Sequence, residues 1–398
     1  MKEVNMQKGI PSAVFVRDYL PISGTFIYRQ MKGVEPEFRP SVICRRTNNL
    51  DVFPHKRIFQ VPNHRKYNDT LLEKMSGKVK RAITGYHNYP GKASYVYWAG
   101  KLRAKGCRLI HAHFGIEGIT MLPLAKRLGI PLVVTLHGFD MSRLLKKRGY
   151  EKKLRDMFEG SSLVIAVSNK FMEDAISKGC PPDKIVRHYI GVPVEEFSFH
   201  EREKKENSPV NFLQVSNFVE KKGHIYTIKA FANLLREGIQ AKLMFIGDGE
   251  TREECENLVS EMGISDKVEF TGKKPMGEIP GYMKQSDVFV HHSITSSDGD
   301  MEGIPTVIME AMAVGLPVIT TRHSGIPELV VDGESGFMVE ERDVASYTKR
   351  MIEIAGNYEM RISRGRFNRD RIIEDFNMTK QNQELKSLYN RVLEKQNV

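Results

Sequence analysis

The stretch that decides the fold covers residues 211–247 and reads NFLQVSNFVEKKGHIYTIKAFANLLREGIQAKLMFIG. It begins and ends with short apolar runs, at 211–216 and 241–247, and the segment 224–238 between them places its apolar residues at helical spacing. Parallel strands need a long crossover connection, which is usually a helix. The stretch therefore predicts two parallel strands joined by a helix.

The same alternation recurs in both halves of the chain. Strands that are apolar on both faces and separated by helices are typical of parallel sheets covered on both sides. At 398 residues the chain is long enough for two domains. We therefore expect an α/β protein of two doubly wound, Rossmann-like domains that face each other across a cleft. Further strands are predicted at 108–114, 131–137, 162–168, 267–272, 287–293 and 316–321, and a further helix at 251–263.

The domain boundary is predicted from a change in composition. Residues 195–212, EEFSFHEREKKENSPVNF, are charged and contain Asn, Ser and Pro before the next apolar run, so we expect a linker at about 198–209. The predicted organisation is an N-terminal domain at 1–205, a C-terminal domain at 206–370 and a helix at 371–398 that is expected to cross back to the first domain.

The positive charge is concentrated in the first half of the chain. The net charge is +11, but residues 1–200 carry +17 and the remainder carries −6. A basic half attracts acidic small molecules, an anionic membrane surface or nucleic acid. We expect no nucleic-acid partner, because the sequence shows neither groove-reading residues nor stacking aromatics. The 40% hydrophobic and 27% charged residues exclude a disordered chain, a collagen and a small disulfide scaffold.

The cysteines and the N-terminus indicate an intracellular protein. Cys44, Cys107, Cys180 and Cys255 form neither a Cys-x-x-Cys pair nor a Cys/His ligand pattern, so we expect reduced thiols. The apolar run at 14–16 is too short for a secretory signal, and no window approaches the roughly 18 apolar residues of a membrane span. We therefore expect a cytoplasmic location, with a peripheral position at the inner face of the cell membrane as an addition to it.

Two acidic residues in the segment 293–330 are candidate binding groups. Glu302 and Glu310 lie eight positions apart, and Gly303-Ile304-Pro305 between them is expected to open a helix with Thr306 in its first turn. Pro305 suits the first helical position, and the free amides of a helix start bind anions. Such a site offers donors for phosphates and two carboxylates for sugar hydroxyls.

This region resembles a known enzyme family. The stretch DGDMEGIPTVIMEAMAVGLPVITTRHSGIPELVVDGESGFMV, residues 298–339, is similar to the donor-site signature of the family-4 retaining glycosyltransferases of the GT-B fold, and in particular to their colanic-acid and exopolysaccharide branch. Other landmarks of the family follow in order along nearly the whole chain. They are LPISGTFI (20–27), HAHFG (111–115), HGFD (137–140), GVPVEEF (191–197), VEKKG (219–223) and GDGETR (247–252).

The resemblance implies a donor site in the second domain. It implies that Glu310 accepts hydrogen bonds from two ribose hydroxyls, that Glu302 binds hydroxyls of the donor sugar, and that Lys222 neutralises the diphosphate leaving group. Asn217 stands where the family usually has an arginine, so either Arg322, Lys221 or another residue supplies the missing charge, or turnover is weaker. The turn expected near the diphosphate consists of Gly303, Ile304, Pro305 and Thr306. The turn expected near the nucleotide consists of Gly247, Asp248 and Gly249.

The first domain is expected to hold the acceptor. The resemblance places His137 beside the transferred sugar. Asp140 is either a helix N-cap or a substrate contact, and His111 and His113 are either structural or part of the substrate cleft. The branch commonly reads Ser-Glu-Thr-Phe where this chain has Gly24 after its serine, so the missing carboxylate weakens that loop's acceptor role. The acceptor-side candidates are Ser23, Gly24, Thr25, His111, His113 and Asp140.

The resemblance also implies a reaction that needs no metal and no cofactor beyond the nucleotide sugar itself. Asp298-Gly299-Asp300 has the spacing of a metal clamp, but in this family it simply precedes the donor-site glutamate. His291 and His292 point to opposite faces of a predicted strand and are expected to be structural. The basic stretch 143–155 is interleaved with leucines and a tyrosine, and is either a surface that meets an anionic leaflet or a solvated helix face.

These observations predict a metal-independent glycosyltransferase that uses a nucleotide diphosphate sugar, with UDP the expected nucleotide. The preferred acceptor is a lipid-pyrophosphate-linked saccharide, because an anionic acceptor suits the basic half. Three alternatives stay open: a soluble acceptor such as an aminocyclitol, a noncatalytic membrane- or nucleic-acid-binding protein on a degenerate transferase fold, and a nucleotide-sugar epimerase.

Overall fold

The structure is a computed structural model that describes residues 9–20, 24–61, 90, 92–204 and 208–396. Its contacts divide the chain into two units. The first comprises the described residues of Met1–Gly191 and Thr379–Val398, and the second comprises those of Val192–Met378. All eight predicted strands and the helices predicted at 224–238 and 251–263 are confirmed.

The first unit is built on a parallel sheet. Its seven described strands have the order β5-β3-β1-β6-β7-β8-β9, and β2 and β4 form a separate pair. Each neighbouring pair in the large sheet is parallel, because helices connect most of the strands. The elements are β1 Ile10–Phe15, β2 Asp18–Tyr19, α1 Thr25–Gly33, β3 Phe38–Cys44, β4 Arg46–Thr47, β5 Ile58–Gln60, α2 Lys92–Ala104, β6 Ile110–His113, α3 Gly115–Leu128, β7 Leu132–Leu136, α4 Tyr150–Gly160, β8 Leu163–Ala166, α5 Asn169–Ser177 and β9 Ile185–Arg187.

The second unit contains another parallel sheet, of six described strands in the order β12-β11-β10-β13-β14-β15. The order reverses between β10 and β13, which is where doubly wound sheets place ligands beyond their carboxyl ends. The elements are β10 Val210–Val215, α6 His224–Arg236, β11 Ala241–Ile246, α7 Arg252–Glu261, β12 Val268–Phe270, α8 Ile279–Gln285, β13 Val288–His291, α9 Thr306–Ala313, β14 Val318–Thr321, α10 Ile326–Leu329, β15 Gly336–Val339, α11 Val344–Gly356 and α12 Tyr358–Asp375.

The last helix, α13 at Met378–Gln396, packs on the first unit. Its residues Leu385, Leu388 and Val392 share a core with Phe38 of β3 and Val133 of β7. Long side chains at the spacing of one helix face therefore cover the sheet of the first unit. All four cysteines are buried and unpaired. Within the described ranges, no helix combines the length and the apolar character needed to cross a bilayer.

The segment around residue 200 belongs to the second unit. Contacts divide the chain between Gly191 and Val192, whereas the composition placed a linker at about 198–209. Phe197 is buried, and the guanidinium of Arg202 is buried where it donates to the carbonyls of Ser286, Met283 and Gly315. This part of the charged stretch is packed because its arginine finds carbonyl partners in the second unit.

Candidate functional site

The candidate donor site lies in the loops that follow the strands of the second unit. Lys222 ends the short 3-10 turn Glu220–Lys222 after β10, and Glu302 lies in the loop between β13 and α9. His323 follows β14, and Glu341 follows β15. Because all these strands are parallel, their carboxyl ends lie at one edge of the sheet, and residues far apart in sequence meet there.

Lys222 and Glu302 form an ion pair in which the carboxylate is buried and the lysine is half-buried. The Nζ of Lys222 lies 2.6 Å from Oε2 of Glu302, and the two side chains are 17% and 6% exposed. Oε1 of Glu302 accepts no hydrogen bond from the described residues, and Nε2 of His291 lies 3.8 Å from it, beyond hydrogen-bond distance. Burial raises the pKa of the Glu302 carboxyl, but the charge of Lys222 and the adjacent His291 outweigh burial and hold it well below its usual range. The carboxylate is therefore ionised and keeps one oxygen for a ligand.

The backbone of Glu302 is held by a second chain of hydrogen bonds. Its amide donates to Nε2 of His323 at 3.1 Å, and Nδ1 of His323 lies 2.6 Å from Oε1 of Glu341. Glu341 also accepts from the amide of Thr295 at 2.8 Å. The sequence analysis missed His323 and Glu341. A signal for them was present, since both follow directly on strands of the sheet.

His291 and His292 have different environments despite being adjacent. Nε2 of His292 accepts from the amide of Arg342 at 3.0 Å, which makes it a structural residue. The ring of His291 is fully buried, and neither of its nitrogens has a hydrogen-bond partner among the described residues. Burial lowers the pKa of His291, so the ring beside Glu302 is neutral.

The helix start after Glu302 differs in one detail from its prediction. Pro305 is the N-cap, with extended dihedral angles, and α9 begins at Thr306, so Pro305 is not in the first helical position. Gly303 and Ile304 are buried beside it, and no side chain caps the helix. The first-turn amides of α9 therefore have no side-chain cap. Glu310 is the fifth residue of α9 and is half-buried.

Asn217, which stands where the family usually has an arginine, is exposed. The two residues considered as replacements for that arginine, Lys221 and Arg322, are both engaged in ion pairs. Lys221 pairs with Asp300 at 2.9 Å, next to the Lys222 and Glu302 pair. Arg322 pairs with Asp332 and lies 3.6 Å from Glu340. Lys221 is the better placed of the two, because it shares a turn with Lys222.

The segment Asp298-Gly299-Asp300 forms a turn. Oδ1 of Asp298 accepts from the hydroxyl of Ser296 at 2.7 Å and from the amide of Asp300 at 3.0 Å. The carboxylate of Asp300 pairs with Lys221, as described above. In the part of the chain that the structure describes, no group of three or more His, Cys, Asp or Glu side chains could hold a metal ion.

The turn Gly247-Asp248-Gly249 comes directly after β11 and packs against the loop after β10. Gly247 has φ +147°, and a Cβ there would lie 1.9 Å from the carbonyl oxygen of Ser216, so only glycine fits. The amide of Phe218 donates to the carbonyl of Asp248 at 3.1 Å. Asp248 and Gly249 are exposed at the same sheet edge as Lys222.

In the first unit, His111 and Asp140 have structural partners. Both ring nitrogens of His111 are used, by the hydroxyl of Tyr389 at 2.6 Å and by that of Thr135 at 2.7 Å. Asp140 is fully buried and accepts from the amides of Gly115, Gly138 and His137. Asp140 thus ties the turn after β7 to the start of α3, and it does not cap the helical turn that contains it.

His113 and His137 form a pair in which His113 is buried and His137 is half-buried. Nδ1 of His113 lies 3.1 Å from Nε2 of His137, and Nδ1 of His137 has no hydrogen-bond partner among the described residues. Burial lowers the pKa of His137 to about 3, so its ring is neutral near pH ~7. Its ring packs against Phe26 at 4.8 Å and Phe114 at 4.7 Å between centroids. His137 therefore offers one free ring nitrogen in an otherwise aromatic setting.

Beside this pair, the first unit contains a cavity of about 380 Å³. Its lining includes Gly24, Phe26, His113, Arg17 and Glu117. Gly24 precedes α1, which begins at Thr25, and Ser23 lies outside the described residues. The cavity thus brings together two of the expected acceptor-side residues and adds Glu117, which the sequence analysis did not select. A glutamate in a helix carries no sequence signal that separates it from a surface residue.

Glu117 makes the stability of the protein depend on pH. Burial raises the pKa of its carboxyl to about 7, whereas a glutamate in an unfolded chain titrates near ~4.3. The folded state therefore retains a proton that the unfolded state loses, and the free energy of unfolding falls as pH rises through this window. We expect Glu117→Gln to match the parent near pH ~4 and to be more stable near pH ~8 by up to ~3 kcal/mol. Urea unfolding at both pH values measures this, and an equal difference at both would contradict it.

Comparison with known proteins identifies the chain. Residues 195–371 match the family model described as glycosyl transferases group 1, and residues 54–196 match glycosyltransferase family 4. A colanic acid biosynthesis glycosyltransferase, WcaL, of Salmonella typhimurium is 35% identical over 70% of this chain and 69% of its own. The amylovoran biosynthesis glycosyltransferase AmsK of Erwinia amylovora is 34% identical over 61% of this chain and 60% of its own.

Two further proteins extend the comparison. The UDP-Gal:alpha-D-GlcNAc-diphosphoundecaprenol alpha-1,3-galactosyltransferase of Escherichia coli is 27% identical over 71% of this chain and 74% of its own. The crystal structure of Anabaena HepE in complex with UDP superposes with a TM-score of 0.75 at 16% identity, over 96% of this chain and 100% of the other. The fold is therefore GT-B. The chain belongs to family 4 of the glycosyltransferases, and it is an enzyme of that class.

Proposed function

We propose that this protein is a retaining glycosyltransferase of surface polysaccharide biosynthesis, which moves a sugar from a UDP-sugar to a lipid-linked saccharide. The observation that carries the proposal is the pair of Lys222 and Glu302. It places a cation and a carboxylate with one unpartnered oxygen at the sheet edge where nucleotides bind in this fold class. A cation suits a diphosphate, and a carboxylate oxygen suits a sugar hydroxyl.

The donor half of the reaction needs stabilised negative charge. The bond between the anomeric carbon and the diphosphate oxygen breaks, and the electron pair stays on the diphosphate. Lys222 and the first-turn amides of α9 would stabilise that charge, since fixed donors in a buried site act without reorganising. Glu302 would orient the sugar through its free oxygen, and Glu310 would bind the ribose. This arrangement needs no metal ion and no further cofactor.

The acceptor half completes the exchange. An acceptor hydroxyl would form the new bond on the face that the diphosphate leaves, so that the anomeric configuration is retained, and its proton would pass to the departing diphosphate. His137 would lie beside the transferred sugar with its free ring nitrogen as a hydrogen-bond partner. The neutral ring that burial enforces avoids repelling the positive charge that develops on the sugar.

The nature of the acceptor is inferred from charge and from the relatives. Residues 1–200 carry a net charge of +17, which favours an anionic acceptor such as a saccharide on a lipid diphosphate. The named relatives serve colanic acid and amylovoran biosynthesis, and the Escherichia coli galactosyltransferase acts on a diphosphoundecaprenol-linked sugar with UDP-galactose. A cationic aminocyclitol would be repelled by the same surface.

The donor part of the proposal is tested by a thermal-shift screen of UDP and of UDP-glucose, UDP-galactose and UDP-N-acetylglucosamine, with GDP-mannose as the contrast. A ligand at 100 times its dissociation constant adds about 2.7 kcal/mol to stability. We expect at least one UDP-sugar to raise Tm and to release UDP when a diphosphate-linked lipid saccharide is added. Stabilisation by GDP-mannose alone would overturn the choice of nucleotide, and no stabilisation by any of them would overturn the function.

The acceptor's lipid would place the enzyme in the cytoplasm, at the inner face of the cell membrane, and the basic stretch 143–155 is the proposed contact. Arg143, Lys146, Lys147 and Arg148 are exposed, whereas Leu144, Tyr150 and Leu154 are buried in the protein. These three apolar residues are therefore not available to enter a leaflet, and the fourth apolar residue of the stretch, Leu145, is half-buried. Any attraction to the membrane through this surface is electrostatic, with about 1 kcal/mol for each basic residue near an anionic surface.

Charge reversal tests this surface. Lys146→Glu, Lys147→Glu and Arg148→Glu together should abolish co-sedimentation with vesicles of 30% phosphatidylserine at low salt, because three attractive charges become repulsive (about 3 kcal/mol or more,). Folding should be unaffected, since all three side chains are exposed. The same reversal at Lys242, an exposed lysine of the second unit, serves as the control. Equal recovery of the parent with neutral vesicles, or no loss in the triple variant, would contradict the prediction.

A further inference from the structure

The loop that carries Glu302 is long, and it is held by side chains rather than by regular structure. Residues 292–305 form neither helix nor strand between β13 and α9. The position of Glu302 therefore depends on what binds this loop. Two loop residues before Glu302 bind glutamates outside the loop. The amide of Thr295 donates to Glu341, and the hydroxyl of Ser297 donates to Glu220 at 2.7 Å.

The backbone amide of Glu302 donates a hydrogen bond to His323, so here the loop is held at the residue that carries the candidate carboxylate. An amide can only donate, so Nε2 of His323 must accept the 3.1 Å hydrogen bond from Glu302, and the proton of the neutral ring must sit on Nδ1. Nδ1 then donates to Oε1 of Glu341 at 2.6 Å. The His323 ring is fully buried, so solvent does not reach its two nitrogens. Glu341 thus selects the tautomer that can accept from Glu302.

We propose that His323, oriented by Glu341, is a positioning residue that sets where the Glu302 carboxylate meets the donor sugar. The inference rests on the proposed function of Glu302. Lys222 holds the carboxylate of Glu302, and His323 holds its amide, so the residue is fixed at both ends. A glutamate that is held at its amide and at its carboxylate can discriminate between sugar hydroxyls, because its carboxylate does not move to reach a hydroxyl in another position.

Substitution of His323 by glutamine or by asparagine separates its contact with Glu302 from its contact with Glu341. A glutamine amide reaches the place of Nε2 and can accept from the amide of Glu302. An asparagine amide reaches the place of Nδ1 and can donate to Glu341, but it leaves the Glu302 amide without a partner. We expect His323→Asn to lower kcat by about tenfold or more, because it leaves the buried amide of Glu302 unsatisfied, and we expect His323→Gln to keep most of the parent's kcat.

The ratio of the affinities for UDP and for the UDP-sugar distinguishes a positioning role of His323 from a merely structural one, because a structural role would leave this ratio unchanged. For each variant, calorimetry gives the affinity for UDP and for the UDP-sugar that the parent transfers. We expect His323→Asn to keep the UDP affinity of the parent, because the proposed ribose and diphosphate groups, Glu310 and Lys222, are unchanged, and to lose about tenfold in UDP-sugar affinity. Far-ultraviolet circular dichroism and Tm show that each variant is folded.

The outcomes separate the inference from the proposed function. Equal kcat loss in His323→Asn and His323→Gln, or a parallel loss of UDP and UDP-sugar affinity, would overturn the positioning role while leaving Glu302 as a sugar ligand. If Glu302→Ala binds and transfers the sugar like the parent, the proposed function of Glu302 fails and this inference fails with it. Loss in His323→Asn with recovery in His323→Gln and constant UDP affinity supports it.

Discussion

Replacing Glu302 with alanine should lower kcat/KM for sugar transfer by about 100- to 1,000-fold, because a preorganised polar group aimed at the reacting sugar is typically worth that much. The oxygen that would bind the sugar is the one without a partner in the structure. The affinity for UDP should not fall, since removing the carboxylate frees the charge of Lys222 for the diphosphate. Transfer kinetics and UDP calorimetry on the same preparation measure both effects.

Glu302→Gln is the matched control for this change. It keeps an oxygen that can accept from a hydroxyl, but it removes the negative charge that pairs with Lys222. We expect its loss in kcat/KM to be smaller than that of the alanine variant. If the two variants lose equally and both also lose UDP affinity, Glu302 acts by supporting the fold of the site, and its assignment as a sugar ligand is wrong.

Lys222→Ala should have the second large effect, with kcat reduced by about 100-fold or more, because the leaving diphosphate loses its cation. The folded state should also lose stability. Glu302 would remain buried and ionised without a partner, and breaking one side of a buried pair typically costs about 3–5 kcal/mol. Transfer kinetics and urea unfolding near pH ~7 measure the two losses.

The pH dependence of this variant has a defined sign. In the parent, the pKa of Glu302 is held below its usual range, so its contribution to stability is present above the unfolded value of ~4.3 and is lost as pH falls through the folded pKa. Without Lys222 the pKa of the buried carboxyl rises, because burial then dominates. The stability gap between parent and variant should narrow as pH falls toward ~5, since protonation removes the unpaired charge. Lys221→Ala, which breaks the more exposed pair with Asp300, should cost about 1 kcal/mol or less.

The sequence was a good guide to the sheets. Strands such as 211–216 and 241–247 are mostly apolar, and β10 and β11 pair in parallel at these positions. Polar residues that follow the predicted strands were chosen as candidate site residues, and the family resemblance assigned Lys222 and Glu302 to one site. The structure places these two side chains in contact, although 80 positions separate them in the chain. Local pattern predicts the strands because hydrophobic periodicity is a property of each segment alone, whereas the grouping of Lys222 with Glu302 came from the family resemblance.

Other features depend on partners that a linear pattern does not contain. Composition treats a charged stretch as exposed, yet Arg202 is buried because carbonyls of the second unit accept from its guanidinium. Asp140 could have been a cap or a ligand contact, and only the fold brings the amide of Gly115 to its carboxyl. The tie between His323 and Glu341 joins the ends of two neighbouring strands, so it exists only once the sheet has formed.

The return of α13 to the first unit has a consequence for biosynthesis. Residues of this helix complete a core that includes Phe38 and Val133, and Tyr389 bonds to His111. On the ribosome, the first unit must therefore wait for nearly the entire chain to emerge before its sheet is fully covered. During that delay the second unit is already complete and can fold. The half made first is thus the half whose core is completed last.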